Sequence, residues 1–400
     1  WAGRMLALRI LQRITGKLKI AVWTVAALML MAELLPLELP LAGFRPGTVA
    51  AAEMPEAVYY GDAGAEAVLG NLSYSDLTGG AFWSGEAIYE TGALGIIKGF
   101  DSPYRRFGRT VPLTREEAVS IVYRAAGREA EAQQLGISLN NGRTAANKKT
   151  DPLDVLYDGF LQLAASEGLI TAQDYADAMN TDQASLDEGS FRRKGAAQRQ
   201  EMALWLARAL GIQPAGQQQE LLNYTDWRST DPDKLPYLEA ILQEGIMNGS
   251  GGRINPKQSV TREQAAQIVK NAESRVLEAL KYTKKFGIVE SIAETKDYTG
   301  EIAVSGKNIA VRSTMDSVVA IRTSAPAVSP SGTKNENAGA LSASQKKELV
   351  VYKNGAVGNS GLLKTGDRIQ YIVDIGNTVK YIQVLSNVNE VRYIAVQVNS

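Results

Sequence analysis

The 400-residue sequence contains no cysteine and no histidine. The absence of cysteine excludes disulfides, thiolate nucleophiles and zinc sites built on thiolates. The absence of histidine removes the commonest general base and the commonest metal ligand, so an enzyme would have to work with carboxylates. We therefore predict a protein that is not an enzyme and that holds no metal and no cofactor.

The sequence also lacks an excess of charge of either sign, because 43 Lys and Arg residues balance 43 Asp and Glu residues. Proteins that bind nucleic acid carry a basic excess, so we predict no nucleic acid partner. Aromatic residues make up only 7% of an otherwise ordinary globular composition. The length allows two or three domains.

Long apolar runs are missing as well. The segment 20–31, "IAVWTVAALMLM", is shorter than the roughly 20 residues that a membrane-spanning helix needs. Ala50 and Ala52 fit the cleavage pattern of an export signal, with Glu53 as the mature start. We predict a signal peptide over 1–52; an uncleaved membrane anchor is the alternative. The basic residues that precede the apolar segment are Arg9, Arg13, Lys17 and Lys19.

Three segments of the chain share one pattern, in which an aspartate, an amphipathic helix, a glycine turn, a loop and a second helix follow one another. The aspartates are 75 residues apart, and each second helix opens at an arginine. The pattern predicts three units, at 70–134, 149–213 (with a longer loop) and 223–283. The aspartates are Asp76, Asp151 and Asp226, and the arginines are Arg115, Arg199 and Arg262.

The arginines stand at an unfavourable place. Thr114 and Glu117 form a capping box, which puts Arg115 at the first helical position. A helix N-terminus carries positive partial charge and free N–H donors, so a cation there is disfavoured unless an anion joins both. Because the guanidinium fork suits a carboxylate, we predict an anionic ligand at these helix ends.

The three units resemble the S-layer homology family. The first unit carries the family's turn and helix start in "GIIKGF" and "LTREEA", and the third carries them in "GIMNGS" and "INPKQSVTREQA". The middle unit is weaker, because Gln198 replaces the usual Thr before the arginine and the loop is expanded. The resemblance covers about residues 70–275.

The resemblance implies a pseudo-threefold helical module, with ligand grooves between neighbouring repeats. It also implies attachment to a secondary cell-wall polysaccharide, typically one with pyruvylated amino sugars, and a location at the cell wall or in a surface layer. The implied glycan-binding residues are Asp76, Trp83, Gly99, Arg115, Asp151, Arg199, Asp226, Gly249 and Arg262.

Structural roles are open for the same residues. Each arginine can pair with an acid inside the protein, and each aspartate can form a turn. Trp83 and Trp205 can belong to the core. Glycines can provide turns with positive φ, at Gly95, Gly99, Gly245 and Gly249. Capping-box partners account for Glu117, Glu201 and Gln264.

The C-terminal region 286–400 alternates apolar and polar residues with period two, in seven short segments. We predict a small antiparallel β barrel or sandwich with a flexible insertion at 323–346, and therefore a multidomain α+β protein. Residues 135–150 are predicted to be a linker. Scattered acids at predicted strand ends are interpreted as turn formers: Asp297, Asp316, Asp367 and Asp374.

These patterns predict a secreted, non-catalytic anchoring protein that binds a polysaccharide attached to peptidoglycan. One alternative is an anchored enzyme that acts on polysaccharides, which would need two neighbouring carboxylates. The other is a subunit of a surface lattice that self-associates through the β domain.

Overall fold

A computed structural model of the chain describes residues 65–77, 82–100, 106–294, 299–304, 307–312, 317–323, 349–376 and 378–386. The predicted signal peptide 1–52, Asp297, Asp316 and all but the first residue of the predicted insertion 323–346 lie outside these ranges. The described part contains ten α-helices followed by eight β-strands, which confirms the α+β class. Within it, no helix combines the length and apolar character needed to cross a membrane.

The helices occupy the first part of the described chain. Their bounds are α1 Ala65–Leu72, α2 Gly85–Ala93, α3 Arg115–Ala125, α4 Glu129–Asn141, α5 Pro152–Ser166, α6 Ala172–Met179, α7 Arg199–Ala209, α8 Leu235–Gln243, α9 Arg262–Asn271 and α10 Glu273–Leu280. Three helix pairs correspond to the units predicted from the sequence. We call α2/α3 the first pair, α5/α7 the second pair and α8/α9 the third pair.

The residues before α3, α7 and α9 join the three pairs in a closed ring of backbone hydrogen bonds. Leu113 N donates to Val260 O, Val260 N donates to Ala197 O, and Ala197 N donates to Leu113 O, each at 2.9 Å. Each pair therefore contacts both others through extended backbone, although they are far apart in the sequence.

The predicted linker 135–150 is wrong, because α4 occupies Glu129–Asn141 and packs on α5. The packing is close because glycine faces glycine: a Cβ on Gly136 or Gly159 would collide with the backbone of the other helix. The interface continues with a buried carboxylate, Asp158, to which Lys149 donates at 2.8 Å. The long loop of the second unit likewise contains a helix, α6.

The helix ends follow the capping chemistry of the sequence. Thr114 and Thr261 both form complete capping boxes, with Glu117 and Gln264 respectively, as predicted. The pattern after Arg262 forms two helices in succession, since α9 ends at Asn271 and α10 starts at Glu273.

The strands are β1 Thr283–Glu294, β2 Thr299–Val304, β3 Lys307–Arg312, β4 Ser317–Thr323, β5 Val351–Lys353, β6 Ala356–Gly358, β7 Arg368–Val373 and β8 Val379–Ser386. Six form one sheet in the order β4-β1-β7-β8-β5-β6, and β2 pairs with β3. All described pairs are antiparallel except β5 with β8. Closure into a barrel or sandwich stays a prediction.

Two acids of this region serve the local backbone. Asp374 accepts hydrogen bonds from Gly376 N and Thr378 N, and so forms the turn predicted for it. Asp367 accepts from Lys364 N and pairs with Lys353 at 2.7 Å.

The sheet packs directly on the helices. The rings of Tyr89 in α2 and Tyr352 in β5 lie 5.6 Å apart, and Tyr381 of β8 is fully buried in the helical core. Glu90 of α2 is buried at this junction and pairs with Lys270 of α9. Burial raises the pKa of Glu90 to about 7, although Lys270 acts in the opposite direction.

Candidate functional site

The N-terminal amides of α3, α7 and α9 already have partners. In each helix the first two N–H groups donate to carbonyls in the loop of a neighbouring pair; Arg115 N, for example, donates to Gly195 O at 2.8 Å and Arg262 N to Val111 O at 3.0 Å. The expectation that these amides are available to an anion is wrong. A negative ligand here would have to be met by side chains.

Arg262 lies across the boundary between the third pair and the first pair. Its Nε donates to Phe107 O at 2.7 Å, its Nη2 donates to Lys98 O, and its Nη1 lies 3.3 Å from Glu117 Oε1. The side chain is also stacked near the Phe100 ring. The residue is only 4% exposed, and burial lowers the pKa of Arg262. The unfavourable position of this arginine is thus offset by an internal carboxylate and two carbonyls.

Arg115 makes a different set of contacts with the second pair. Its Nε donates to Glu201 Oε1 at 3.0 Å, and its guanidinium carbon lies 5.2 Å from the centre of the Phe191 ring. Burial raises the pKa of Glu201, and the charge of Arg115 opposes that effect. Glu201 holds the capping position of α7, where its Oε2 accepts from Gln198 N at 2.8 Å.

Arg199 lies against the third pair, with its Nε 2.9 Å from Ile254 O and its Nη2 2.8 Å from Asn248 O. Burial lowers the pKa of Arg199, because desolvation disfavours its charge. No acid within the described ranges forms an ion pair with it.

A pocket of about 190 Å³ opens beside Arg262. We call it the Arg262 pocket. All three helix pairs contribute to its wall. The lining residues are Ile97, Lys98, Gly99, Phe100, Glu117, Ser120, Ile121, Arg124, Leu153, Tyr157 and Arg262.

Several charged side chains lie at this pocket. Lys98 and Arg124 both donate to Glu129, at 2.9 Å and 2.8 Å, while Arg262 faces Glu117. Burial opposes the ionisation of Glu129, but the two cations outweigh it and lower its pKa. Lys98, Arg124 and Arg262 line the pocket together with one acid, Glu117, and this lining suits a negatively charged group.

Apolar and aromatic residues also line the pocket. Ile97 and Ile121 come from the first pair, and Leu153 and Tyr157 come from α5 of the second pair. Burial raises the pKa of Tyr157, so its phenol stays neutral and can donate a hydrogen bond. The pocket can thus receive a group with a negative end and an apolar side.

Gly99 and Gly249 occupy equivalent turns and were expected to have positive φ. That expectation is wrong for both, whereas Gly95 (φ 75°) and Gly245 (φ 67°) confirm it. Gly99 is required for another reason, since an added Cβ would lie 2.6 Å from the Tyr74 ring. The Tyr224 ring crowds Gly249 in the same way.

The predicted aspartates divide into two groups. Asp76 accepts from Phe107 N and Gly108 N at 2.8 and 2.7 Å, and Asp226 accepts from Ile254 N and Asn255 N at 2.9 Å each. Asp151 is instead the N-cap of α5 and is exposed.

In the second unit, the corresponding bond to Phe191 N at 3.1 Å comes from Asp177 in α6. The even spacing of 75 residues therefore misses the structural equivalent. A glycan contact by Asp76, Asp151 or Asp226 stays a prediction. For Asp76 and Asp226, a glycan hydroxyl would have to donate to carboxylate oxygens that already accept backbone N–H groups.

Trp83 is 61% exposed, whereas Trp205 is buried in the core as the structural alternative allowed. Trp83 precedes Ser84, whose hydroxyl donates to Glu263 of α9 at 2.9 Å. Of the predicted ligand residues, the pocket brings together Gly99 and Arg262.

Sequence reasoning missed Lys98, Arg124, Leu153 and Tyr157 of the pocket wall. Lys98 lies within the turn motif "GIIKGF", so its position in this motif could have identified it as a site residue. Across the described ranges, no group of three or more acids is placed to hold a metal ion.

Residues 223–266 match the model of the S-layer homology domain. The matched segment starts just before Tyr224 and Asp226, contains α8, and ends in the first turns of α9. A comparison with curated proteins finds no match to this chain.

Proposed function

We propose that this protein is a non-catalytic anchor that binds a cell-wall polysaccharide, and we take the S-layer homology match of residues 223–266 as the premise. The family named by that match is associated with attachment at the cell surface. Localisation at the cell wall or in a surface layer is part of the proposal.

The hydrogen-bond ring supports an extension of the match to the other two helix pairs. Leu113, Ala197 and Val260 hold equivalent positions before α3, α7 and α9 and make equivalent bonds. We infer three S-layer homology repeats in a pseudo-threefold module, of which the second is diverged. In such a module each repeat borders the other two. A ligand bound at a boundary can contact the two repeats that meet there.

The observation that carries the proposal is the Arg262 pocket, which lies where the three pairs meet and is lined by three cationic residues and one acid. A pyruvyl ketal on a sugar has a carboxylate and a methyl group. The carboxylate would face Lys98 and Arg124, and the methyl group would face Leu153 and Ile97. A lining that contains both cationic and apolar side chains favours a pyruvylated saccharide over a neutral one.

The test is cosedimentation of the full chain with purified wall polysaccharide. Leu153→Trp adds bulk in the pocket without removing a hydrogen bond, so we expect at least tenfold weaker binding. Leu385→Trp is the matched control, because Leu385 is exposed on β8, outside the pocket lining.

Removal of pyruvate from the polysaccharide should weaken binding of the wild-type chain to the same degree. Equal binding by the Leu153→Trp variant would contradict the proposal. Release of soluble sugar during the assay would instead favour the enzyme alternative, and concentration-dependent sheets of protein alone would favour the lattice alternative.

A further inference from the structure

Lys353 and Asp367 form a buried ion pair within the β region. Nζ of Lys353 lies 2.7 Å from Oδ2 of Asp367. The Asp367 side chain is fully buried, and that of Lys353 is only 11% exposed. Lys353 belongs to β5 and Asp367 to the turn before β7, and these two strands are not hydrogen-bonded neighbours in the sheet. The pair therefore connects two separate parts of the sheet.

The backbone around Asp367 holds its carboxyl group in place. Asp367 O accepts from Val289 N at 3.0 Å, and Gly366 N donates to Val289 O at 2.8 Å, so β1 fixes the turn. Lys364 N donates to Oδ2 of Asp367 at 2.8 Å. The carboxyl group thus has little freedom beside the amine, and such preorganisation raises the effective concentration of two reacting groups.

The second oxygen of Asp367 is in an unfavourable state. Oδ1 is buried and has no hydrogen-bond partner among the residues that the structure describes. Asp158 and Asp374 also pair with lysines, but donors contact both oxygens of each. Asp367 therefore differs from these two acids in having one oxygen that contributes nothing to the ion pair or to the turn.

The two groups are close enough to react. Since a C–O bond adds at most about 1.2 Å to the distance from Nζ to Oδ2, Nζ lies within about 4 Å of Cγ. Reacting atoms in a near-attack arrangement are ~3–3.5 Å apart. The N–H of Lys364 already contacts Oδ2, so it can stabilise the negative charge that develops on this oxygen during attack.

We propose that Lys353 and Asp367 condense after folding and form an intramolecular isopeptide bond. One proton first passes from the ammonium to the carboxylate, which gives an amine and a carboxylic acid. Nζ then bonds to Cγ, the bond between Cγ and Oδ1 breaks, and Oδ1 leaves as water with two of the three ammonium protons. The third proton stays on the amide nitrogen, and Oδ2 becomes the amide oxygen. The atoms and charges balance without any further reactant.

The reaction removes the unfavourable features of this pair. The unpartnered Oδ1 is lost, Oδ2 keeps its donor Lys364 N, and a neutral amide replaces two buried charges. The new bond closes a ring that contains β6. Because the sequence has no cysteine, a disulfide cannot cross-link this sheet. The cross-link does not depend on the proposed glycan binding, since it involves none of the helix pairs.

The test is mass spectrometry of the purified full chain under denaturing conditions. We expect the mass to be lower by one water than the sequence requires. Cleavage after glutamate leaves both residues on the peptide 349–390, which should carry the whole loss. Fragmentation of this peptide should give no separated fragments from breaks between Lys353 and Asp367, because the ring holds both ends together.

Two variants provide the controls. Lys353→Arg keeps a positive charge beside Asp367 but has no amine that can condense, so it should have the full mass. Lys380→Arg changes the lysine that pairs with Asp374 at 3.0 Å, and it should show the same loss of one water as the wild type.

A cyclic imide at an aspartate is the alternative source of the same mass loss. The imide would persist in Lys353→Arg and would be opened by hydroxylamine, whereas the isopeptide bond is absent from that variant and resists hydroxylamine. A full mass in the wild-type chain, or a loss of water that persists in Lys353→Arg, would overturn the proposal. If Lys353→Arg does not fold, hydroxylamine treatment and fragmentation of the wild-type peptide decide the question.

Discussion

Replacement of Arg262 by alanine should destabilise the protein far more than replacement of Arg115. The change leaves the carbonyls of Phe107 and Lys98 and the carboxylate of Glu117 without their donor in a buried place. Removal of one partner of a buried ion pair costs about 3–5 kcal/mol, and we expect that range here. Arg115 makes one carboxylate contact and its side chain is more exposed, so Arg115→Ala should lower the unfolding free energy by about 1–2 kcal/mol.

Urea unfolding of the two variants, followed by circular dichroism, measures these differences. A double-mutant cycle with Glu117→Ala isolates the Arg262–Glu117 term, for which a coupling of about 1–3 kcal/mol is expected. A loss below about 1 kcal/mol for Arg262→Ala, or no coupling in the cycle, would refute the view that this arginine joins two helix pairs. If the view holds, weaker glycan binding by Arg262→Ala does not by itself demonstrate a glycan contact.

Three further predictions concern stability. The folded chain holds a proton on Glu90 up to about pH 7, against an ordinary pKa of 4.5, so stability should fall as the pH rises from about 4.5 to 7. In the Glu90→Gln variant, the pH dependence of the unfolding free energy, measured by urea unfolding at several pH values, should be weaker by the uptake of about one proton. An unchanged pH dependence would contradict this prediction. Gly99→Ala should cost about 1–3 kcal/mol because the new methyl group meets Tyr74 at 2.6 Å, whereas Gly142→Ala, with 3.5 Å of space, should be nearly neutral in thermal melting. Asp226→Ala, which removes the acceptor of two backbone N–H groups, should destabilise more than Asp151→Ala, which removes an N-cap worth about 1 kcal/mol; equal losses would refute this difference.

The sequence predicted the parts of this fold that depend on local chemistry. The capping boxes at Thr114 and Thr261 and the glycine turns at Gly95 and Gly245 follow from the conformations that those residues favour. Period-two segments predicted most of the described strands. The helix α4 was missed, because its apolar contact with α5 depends on a glycine-to-glycine approach that no periodicity reveals.

The candidate site was predictable only in part, for a similar reason. Gly99 of the first unit and Arg262 of the third each belong to a motif that can be recognised within its own unit. Another part of the wall comes from the second unit, since Leu153 and Tyr157 lie on α5. The expectation of free amides at the helix ends was wrong because their acceptors belong to neighbouring loops, and local sequence does not show which loop lies next to which helix.

The closed hydrogen-bond ring of Leu113, Val260 and Ala197 has a mechanical consequence. At each of the three boundaries, one bond of the ring and two from the first amides of a helix link adjacent pairs. A pull on any one pair is therefore resisted at two boundaries at once, and no pair can be peeled away as the end of a row. If the chain has the anchoring function proposed above, such a ring would spread a shearing load over two boundaries instead of one.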